Sequence, residues 1–368
     1  MFEAYRTALG RPYREIPTPS LLLNLGVVRG NIATMADRLN GLASIRPHVK
    51  SHKCAQIAGL QLAAGAIGMT AATVWEAAAM AKSGVADLLI ANEVVGYEKL
   101  RSLTRTTRTA RVTVAVDDTE NVEALSAAAG EAGCEFGALI EVDVGMGRCG
   151  VRTQEQALIL AERIRSLPAL HLRGVMGYEG HCVLLTDRAI RAERATLAMA
   201  RLLGFRDALE SAGFGCETVS AGGTGTFDLT GAQAGVTEIQ AGSYVFNDAT
   251  RRGIVPDFAV GLTVLATVVS RNDSVIVIDA GKKTVGVDFT LPQIVGGAAT
   301  VRATAEEHMI CDIGADCALR VGTVVEVIPG YCPTTVNLHD VYHVVENGVV
   351  TDIWPILARG AGRAEVAA

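Results

Sequence analysis

Ser44-Ile45-Arg46-Pro47-His48-Val49-Lys50 reads as a short strand that ends on a lysine, and the same rhythm then recurs along the chain. Buried-strand patterns follow at 67–71, 88–91, 112–116, 138–142, 173–176, 217–220 and 237–240, making eight with 44–49. Between them lie alanine- and leucine-rich helical stretches such as 74–83 and 188–211. Ahead of them, Val28, Ile32, Met35 and Leu39 fall at helical spacing, with Arg29, Asn31, Asp37 and Arg38 on the other face. A βα unit repeated eight times over about 230 residues has the size of a (β/α)8 barrel. A doubly wound open sheet is the alternative.

After residue 255 the pattern changes to strands with turns and little helical periodicity. Apolar runs occupy 264–270, 275–279 and 323–328. The segment 341–346, then Asn347-Gly348, then 349–354, predicts a hairpin with a type I′ turn. The fold class is therefore α/β, with an N-terminal TIM-type barrel over 21–254. Residues 255–368 form a mostly β domain, to which 1–20 returns as an added strand.

Composition narrows the function. The 368 residues carry a net charge of -6, 49% hydrophobic residues and 39 glycines, as in a glycine-rich enzyme. No basic stripe points to nucleic acid, and no run approaches the roughly 20 apolar residues of a membrane span. The opening residues lack the apolar core of a signal peptide, so a cytoplasmic protein is expected. Eight cysteines without a Cys-x-x-Cys pair read as reduced thiols, not a disulfide framework or a paired-cysteine zinc site.

Barrel active sites gather at the carboxyl ends of the strands. Lys50 follows the first strand there, within Arg46-Pro-His-Val-Lys-Ser-His-Lys-Cys54. A lysine desolvated at a rigid strand end can present a neutral amine to an aldehyde. Asp143 to Gly150 follow the fifth strand and include Arg148. Tyr178 to His181 follow the sixth. After the seventh comes Ser220-Ala-Gly222-Gly223-Thr224-Gly225-Thr226, and after the eighth Gly242-Ser243-Tyr244. Close glycines let amide N–H groups approach an anion, and loops after strands seven and eight are the usual phosphate site of a barrel. The run matches neither Gly-x-x-x-x-Gly-Lys-Ser/Thr nor Gly-x-Gly-x-x-Gly. A phosphate loop opposite an imine-forming lysine describes pyridoxal 5′-phosphate. Arg148 suits its phenolic oxygen or a substrate carboxylate, and Tyr178 suits its ring.

These segments, with Gly68-Met-Thr-Ala-Ala-Thr-Val-Trp-Glu76-Ala, Ile90-Ala-Asn-Glu-Val-Val95, Gly242-Ser-Tyr-Val-Phe246, Asp279-Ala-Gly-Lys282, Glu306-Glu-His308 and Trp354-Pro-Ile356, resemble the family of D-threonine aldolase, D-3-hydroxyaspartate aldolase and D-serine dehydratase. The resemblance runs over nearly the whole chain. It implies an alanine-racemase-like fold, a homodimer with its active sites near the interface, and a small amino-acid substrate. It also implies that Lys50 bonds the cofactor's aldehyde, Arg148 meets its phenolic oxygen, and Tyr178 lies near its ring. The 222–226 loop, Ser243 and Tyr244 would surround the phosphate.

One departure bears on the reaction. The family holds a divalent metal with a His-x-Asp or His-x-Cys pair in a segment resembling Pro-x-His-Cys-Asp-x-Thr-Val-Asn. Here the segment is Pro329-Gly-Tyr331-Cys332-Pro333-Thr-Thr-Val-Asn337. Proline offers no side-chain ligand and neutral tyrosine replaces imidazole poorly, so no metal ligand is assigned and no divalent metal is expected. Cys332, His181, Cys182 and His339 are the residues able to rebuild a site. The expected activity is aldol-type cleavage of a β-hydroxy-D-amino acid, with His181 or Tyr331 as the base. The alternatives are a metal-independent racemase or epimerase using Lys50 and Tyr331, and a D-serine dehydratase-like ammonia lyase.

Overall fold

A computed structural model describes residues 3–360 of the chain. Ser20-Leu-Leu-Leu-Asn24 forms the first strand, β1 (Ser20–Asn24), and its three leucines are all buried. A strand apolar at successive positions needs cover on both faces. It finds a central place in a mostly antiparallel sheet, antiparallel to β10 (Leu262–Arg271) and parallel to β16 (Val341–Glu346). β1 therefore lies in this sheet and not among the eight parallel strands. Among the described residues before Ser20, from residue 3 on, are two short 3-10 turns and one bridge, Pro12 to Val349, not the added strand expected there.

The eight-strand expectation for the barrel holds. Its strands are β2 (Ser44–Ile45), β3 (Met69–Ala71), β4 (Asp87–Glu93), β5 (Arg111–Val116), β6 (Phe136–Glu141), β7 (Leu170–Gly177), β8 (Thr218–Ala221) and β9 (Glu238–Ile239). All neighbours are parallel, in the order β2-β9-β8-β7-β6-β5-β4-β3. A parallel bridge from His48 to Thr70, with the Thr70 amide donating to the Pro47 carbonyl at 2.8 Å, joins the end of β2 to β3. Leu89, Ala115, Leu139 and Met176, from four successive strands, make one layer of the packed interior.

The surrounding helices are α1 (Leu25–Leu39), α2 (Ala55–Ala63), α3 (Val74–Lys82), α4 (Tyr97–Thr106), α5 (Thr119–Ala132), α6 (Gln154–Ser166), α7 (Arg188–Ser211) and the single turn α8 (Phe227–Gly231). Val28, Ile32, Met35 and Leu39 of α1 are buried, as their spacing predicts. Side-chain caps start several helices at the end of a strand's loop. Thr73 accepts from the Glu76 amide while Glu76 accepts from the Ala72 amide, and Thr153 with Gln156 makes a full capping box. None of the described helices is long and apolar enough to cross a membrane.

The β sheet also contains β11 (Val275–Ile278), β12 (Gln293–Ile294), β13 (Thr300–Thr304), β14 (Met309–Asp312), β15 (Val324–Ile328) and β17 (Val349–Pro355). Its main order is β13-β14-β11-β10-β1-β16-β17, with β15 pairing β10 and β12. Asn347 and Gly348 have φ of 51° and 81°, the positive pair that a type I′ hairpin turn needs. Residues 3–34, 51–56 and 243–360 form one compact unit, and residues 35–50 and 57–242 another.

Inside the barrel, at the amino ends of its strands, Arg46 bonds Glu238 at 2.9 Å and Asp87 at 2.6 Å. Gly68 approaches this pair so closely that a Cβ there would strike the Arg46 guanidinium and sit 2.7 Å from the Asp87 carbonyl. Replacing Gly68 by Ala should therefore lower stability by about 1–3 kcal/mol, read as a reduced urea midpoint with unchanged slope. An unchanged midpoint would show that the floor of the barrel yields without cost.

In the β unit, burial holds the His339 and His343 imidazoles below their ordinary range, against Nε2 donation to Thr284 at 2.8 Å and a 3.3 Å contact with the Leu21 carbonyl. The unfolded chain therefore takes up protons first. The stability these rings contribute is present above about pH 6.5 and is lost as pH falls through their lower folded values. Denaturation midpoints should drop on acidification from neutrality, and less steeply in His343→Gln. A slope identical in the two proteins contradicts this assignment.

Candidate active site at the carboxyl ends of the barrel strands

The chain leaves β2 through Val49, which is wholly buried, and turns over Val49–Ser51 in a 3-10 turn. That turn half-buries Lys50 and places its Nζ 5.8 Å from the centre of the Tyr178 ring. Tyr178 follows β7 directly. Arg148, in the loop after β6, brings its guanidinium carbon to 5.9 Å from the same ring centre. Three of the residues expected from the sequence thus meet around one aromatic ring. The two histidines beside Lys50 face backbone. His48 Nδ1 accepts from the Lys50 amide at 3.5 Å, and His52 Nδ1 from the Cys54 amide at 3.1 Å.

The loop bearing Arg148 is fixed by Asp143. Its carboxylate accepts from the amides of Gly145 and Gly147, both at 3.0 Å, and pairs with Arg152 at 3.4 Å. Burial works against that charge, but the two amides and Arg152 prevail and hold the carboxyl below its usual range. Gly150 has φ of 103°, and a Cβ on it would lie 2.6 Å from the Asp143 nitrogen. His181 is exposed, with its imidazole against Gly145, where an added Cβ would be 2.9 Å from its Cε1.

Gly222 to Thr226 close on Tyr178 from the end of β8. A Cβ on Gly223 would lie 3.0 Å from Tyr178 Cε2, and one on Gly225 would overlap the Val183 carbonyl. Gly222 itself has φ of 84°. Beneath the loop lies a residue that the sequence reading missed. Glu179, fully buried, accepts from Thr226 Oγ1 at 2.6 Å, Thr230 Oγ1 at 2.5 Å and the Gly222 amide at 3.2 Å. It organises the glycine run, and Thr224 packs buried within it.

A second unforeseen set is acidic. Glu141, at the end of β6, is buried and pairs with Arg148 at 3.4 Å. Burial, then the neighbouring Glu93 carboxyl, push Glu141 up to about 8, with Arg148 opposing. Burial and Glu93 likewise raise the Cys149 thiol to about 11, and burial with Glu93 raises Asp117. The available signal was an acidic residue closing an apolar strand, which in a barrel points at the active face.

The other expected residues belong to the β unit. Ser243 is buried with its hydroxyl 3.3 Å from that of Ser51, and Tyr244 packs at 5.6 Å against the Phe258 ring. Tyr331 stands edge-on to Phe289 at 4.9 Å beneath the Arg251 guanidinium at 4.8 Å. It caps α9 (Cys332–Leu338), whose first turn contains Pro333. The Cys332 thiol donates to the Asn247 carbonyl at 3.1 Å, and burial raises it far above the ordinary thiol range. Tyr331 and Pro333 do not fit a divalent ion held by a His-x-Asp or His-x-Cys pair.

Residues 23–250 match the family model for the alanine racemase N-terminal domain, and residues 261–345 match a serine dehydratase domain. A D-threonine aldolase of Arthrobacter sp. is 38% identical over 365 residues, covering 96% of each chain. A 3-hydroxy-D-aspartate aldolase of Paracoccus denitrificans is 35% identical over 369 residues, covering 96% of this chain and 95% of its own. The crystal structure of D-threonine aldolase from Filomicrobium marinum superposes with a TM-score of 0.92 at 35% identity, over 96% of this chain and 98% of that one. With barrel, β domain and sequence all shared, the chain belongs to the alanine racemase-like enzyme family of the D-threonine and 3-hydroxy-D-aspartate aldolases.

Proposed function

We propose that the chain binds pyridoxal 5′-phosphate at the carboxyl ends of its barrel strands and cleaves the Cα–Cβ bond of a β-hydroxy-D-amino acid, giving glycine and an aldehyde. The observation that carries this reading is the convergence of Lys50, Arg148 and the 222–226 loop on the ring of Tyr178. The aldolase activities named for its relatives support the choice of reaction. A lysine amine, an aromatic face, an always-charged guanidinium and a glycine cradle fit the cofactor's aldehyde, ring, phenolic oxygen and phosphate. Bound there, pyridoxal phosphate supplies an electron sink for the pair released at the substrate's α carbon.

Lys50 holds the aldehyde end and Arg148 faces the phenolic oxygen. Gly222, Gly223, Thr224, Gly225 and Thr226 receive the phosphate, and by the family resemblance Ser243 and Tyr244 add hydroxyl donors. His181 accepts the β-hydroxyl proton. As that O–H bond breaks, the oxygen's pair forms the aldehyde C=O, the Cα–Cβ pair stays with the α carbon, and a proton delivered there completes glycine. Tyr331 is the other base to be tested.

Lys50→Ala should abolish the visible absorbance of bound cofactor, and its persistence would remove the lysine from this role. With D-threonine, mass spectrometry should find glycine and acetaldehyde. His181→Asn should lower kcat about 10²- to 10⁴-fold with cofactor still bound. If Tyr331→Phe produces that loss instead, the base is Tyr331. Solvent deuterium at the α carbon without cleavage means a racemase, and ammonia with a keto acid means a dehydratase; either overturns the aldolase reading. Glu179→Ala orphans three donors at about 1–3 kcal/mol each, so it should weaken cofactor retention in dialysis as well as stability. Full retention would separate Glu179 from the phosphate loop.

A further inference from the structure

Three consecutive residues of the Arg148 loop are each held by an acid from a different strand end. The Arg148 guanidinium donates to Glu141 Oε1 at 3.4 Å, and Glu141 closes β6. The Cys149 thiol donates to Glu93, which closes β4, and the Gly150 amide donates at 2.8 Å to Oδ2 of Asp117, the residue after β5. The Glu93 and Asp117 carboxyls and the Cys149 sulfur lie within 4.8 Å of one another. Glu93 and Glu141 also hydrogen-bond each other. Two ionised carboxylates are acceptors only, so that bond requires a proton. Glu141 is 3% exposed, its Oε2 and Glu93 Oε1 are both shut off from solvent, and no N–H or O–H group among the described residues reaches either oxygen. The donor between them is therefore the proton of one of the two acids.

We propose that Glu93 and Glu141 share one proton and, as a pair with a single negative charge, are positioning residues that hold Arg148 toward the Tyr178 ring. The inference rests on the pyridoxal phosphate reading for what Arg148 then meets, the cofactor's phenolic oxygen. One negative charge is matched by one guanidinium. With both acids ionised, Arg148 would face two charges and be drawn from the ring toward the pair, weakening its hold on an anionic oxygen. In the structure the Arg148 side chain is 48% exposed and its guanidinium carbon stands 5.9 Å from the Tyr178 ring centre. The pair thus steers the arginine without enclosing it. Arg148, Cys149 and Asp117 are the charged or titratable groups that face the pair. Cys149 stays a neutral donor, its thiol raised by burial and then by Glu93, and Asp117 is raised by burial and by Glu93 as well. Because Arg148 and Cys149 are adjacent, the joined carboxyls grip two successive side chains, which fixes the loop as well as the guanidinium.

The test uses the full-length protein, first without cofactor. Its infrared spectrum should show the C=O band of a protonated carboxyl near neutrality, lost as pH rises through about 8. Glu93→Gln supplies Glu141 with an amide donor in place of the proton, so that band should be missing from Glu93→Gln and from Glu141→Gln. Pyridoxal phosphate is then titrated into each protein across the same pH range and followed by its visible absorbance. Glu141→Gln should bind it at least about tenfold more weakly near neutrality, the effect of losing one hydrogen bond to a charged group. The affinity of the parent relative to Glu93→Gln should fall as pH rises through about 8, because only the parent acquires the second charge. A purely structural role would shift affinity equally at every pH. Circular dichroism identifies a variant that fails to fold, and the other then decides. Absence of the band from the parent overturns the pair, as does a band that the folded variants keep, or an affinity ratio that does not change with pH. If the parent binds no pyridoxal phosphate, the cofactor reading fails and Arg148 loses its assigned role, while the infrared band still decides the shared proton.

Discussion

Arg46 is the constraint on which the barrel depends. Its strand, β2, contributes only Ser44 and Ile45 to the ladder, and β9 only Glu238 and Ile239. So few backbone bonds set the register weakly. The Arg46 guanidinium compensates by bonding Glu238 at the base of β9 and Asp87 at the base of β4. It is mostly buried, and removing the guanidinium would leave the buried Glu238 carboxylate without its Arg46 partner, at a cost of about 3–5 kcal/mol. Arg111, Arg173 and Glu217 line the same small cavity, of about 190 Å³. The Arg46 carbonyl also accepts from Thr70 Oγ1 at 2.9 Å, tying β2 to β3. Lys50 is four residues further along this anchored segment. The lysine's position is thus set by ion pairs at the opposite end of the barrel.

At the carboxyl end the organising group is the Tyr178 ring rather than a charge pair. It is approached by Lys50, Arg148 and Gly223, residues from three different strand loops. Each loop has its own internal fastening. Asp143 gathers the amides of the Arg148 loop, Glu179 gathers the hydroxyls of the glycine loop, and His48 Nδ1 accepts from the Lys50 amide. Such fastening limits what binding must order, because polar partners already fix the loops.

Much of this was legible in the sequence because parallel barrel strands are buried on both faces and read as short apolar runs. Lys50 and the glycine run could then be placed by the rule that such strands end at the active face. β1 was not among the strands read from the sequence, because its place is set by pairing with β10 and β16, more than 200 residues away. Glu179, Glu93 and Glu141 were missed because an acid in a loop or at a strand end usually marks solvent. Glu179 and Glu141 are buried and Glu93 is half-buried, and the partners of Glu179, Thr226 and Thr230, lie about 50 residues beyond it.

The segment around Tyr331, where the family resemblance would put a metal pair, is held by local contacts of its own. Asp248, fully buried, bonds the Arg251 guanidinium at 2.7 Å and accepts from the Cys332 amide at 3.1 Å. The same guanidinium lies over the Tyr331 ring, a cation–π contact that an imidazole would make less well. Pro333 falls in the first turn of α9, where a missing N–H costs nothing and a fixed φ favours the helix. Tyrosine and proline therefore each satisfy a local requirement of this turn. Two residues that suit their places so closely are poor evidence for a misaligned metal pair. They are better evidence that the segment is built around the Asp248–Arg251 ion pair.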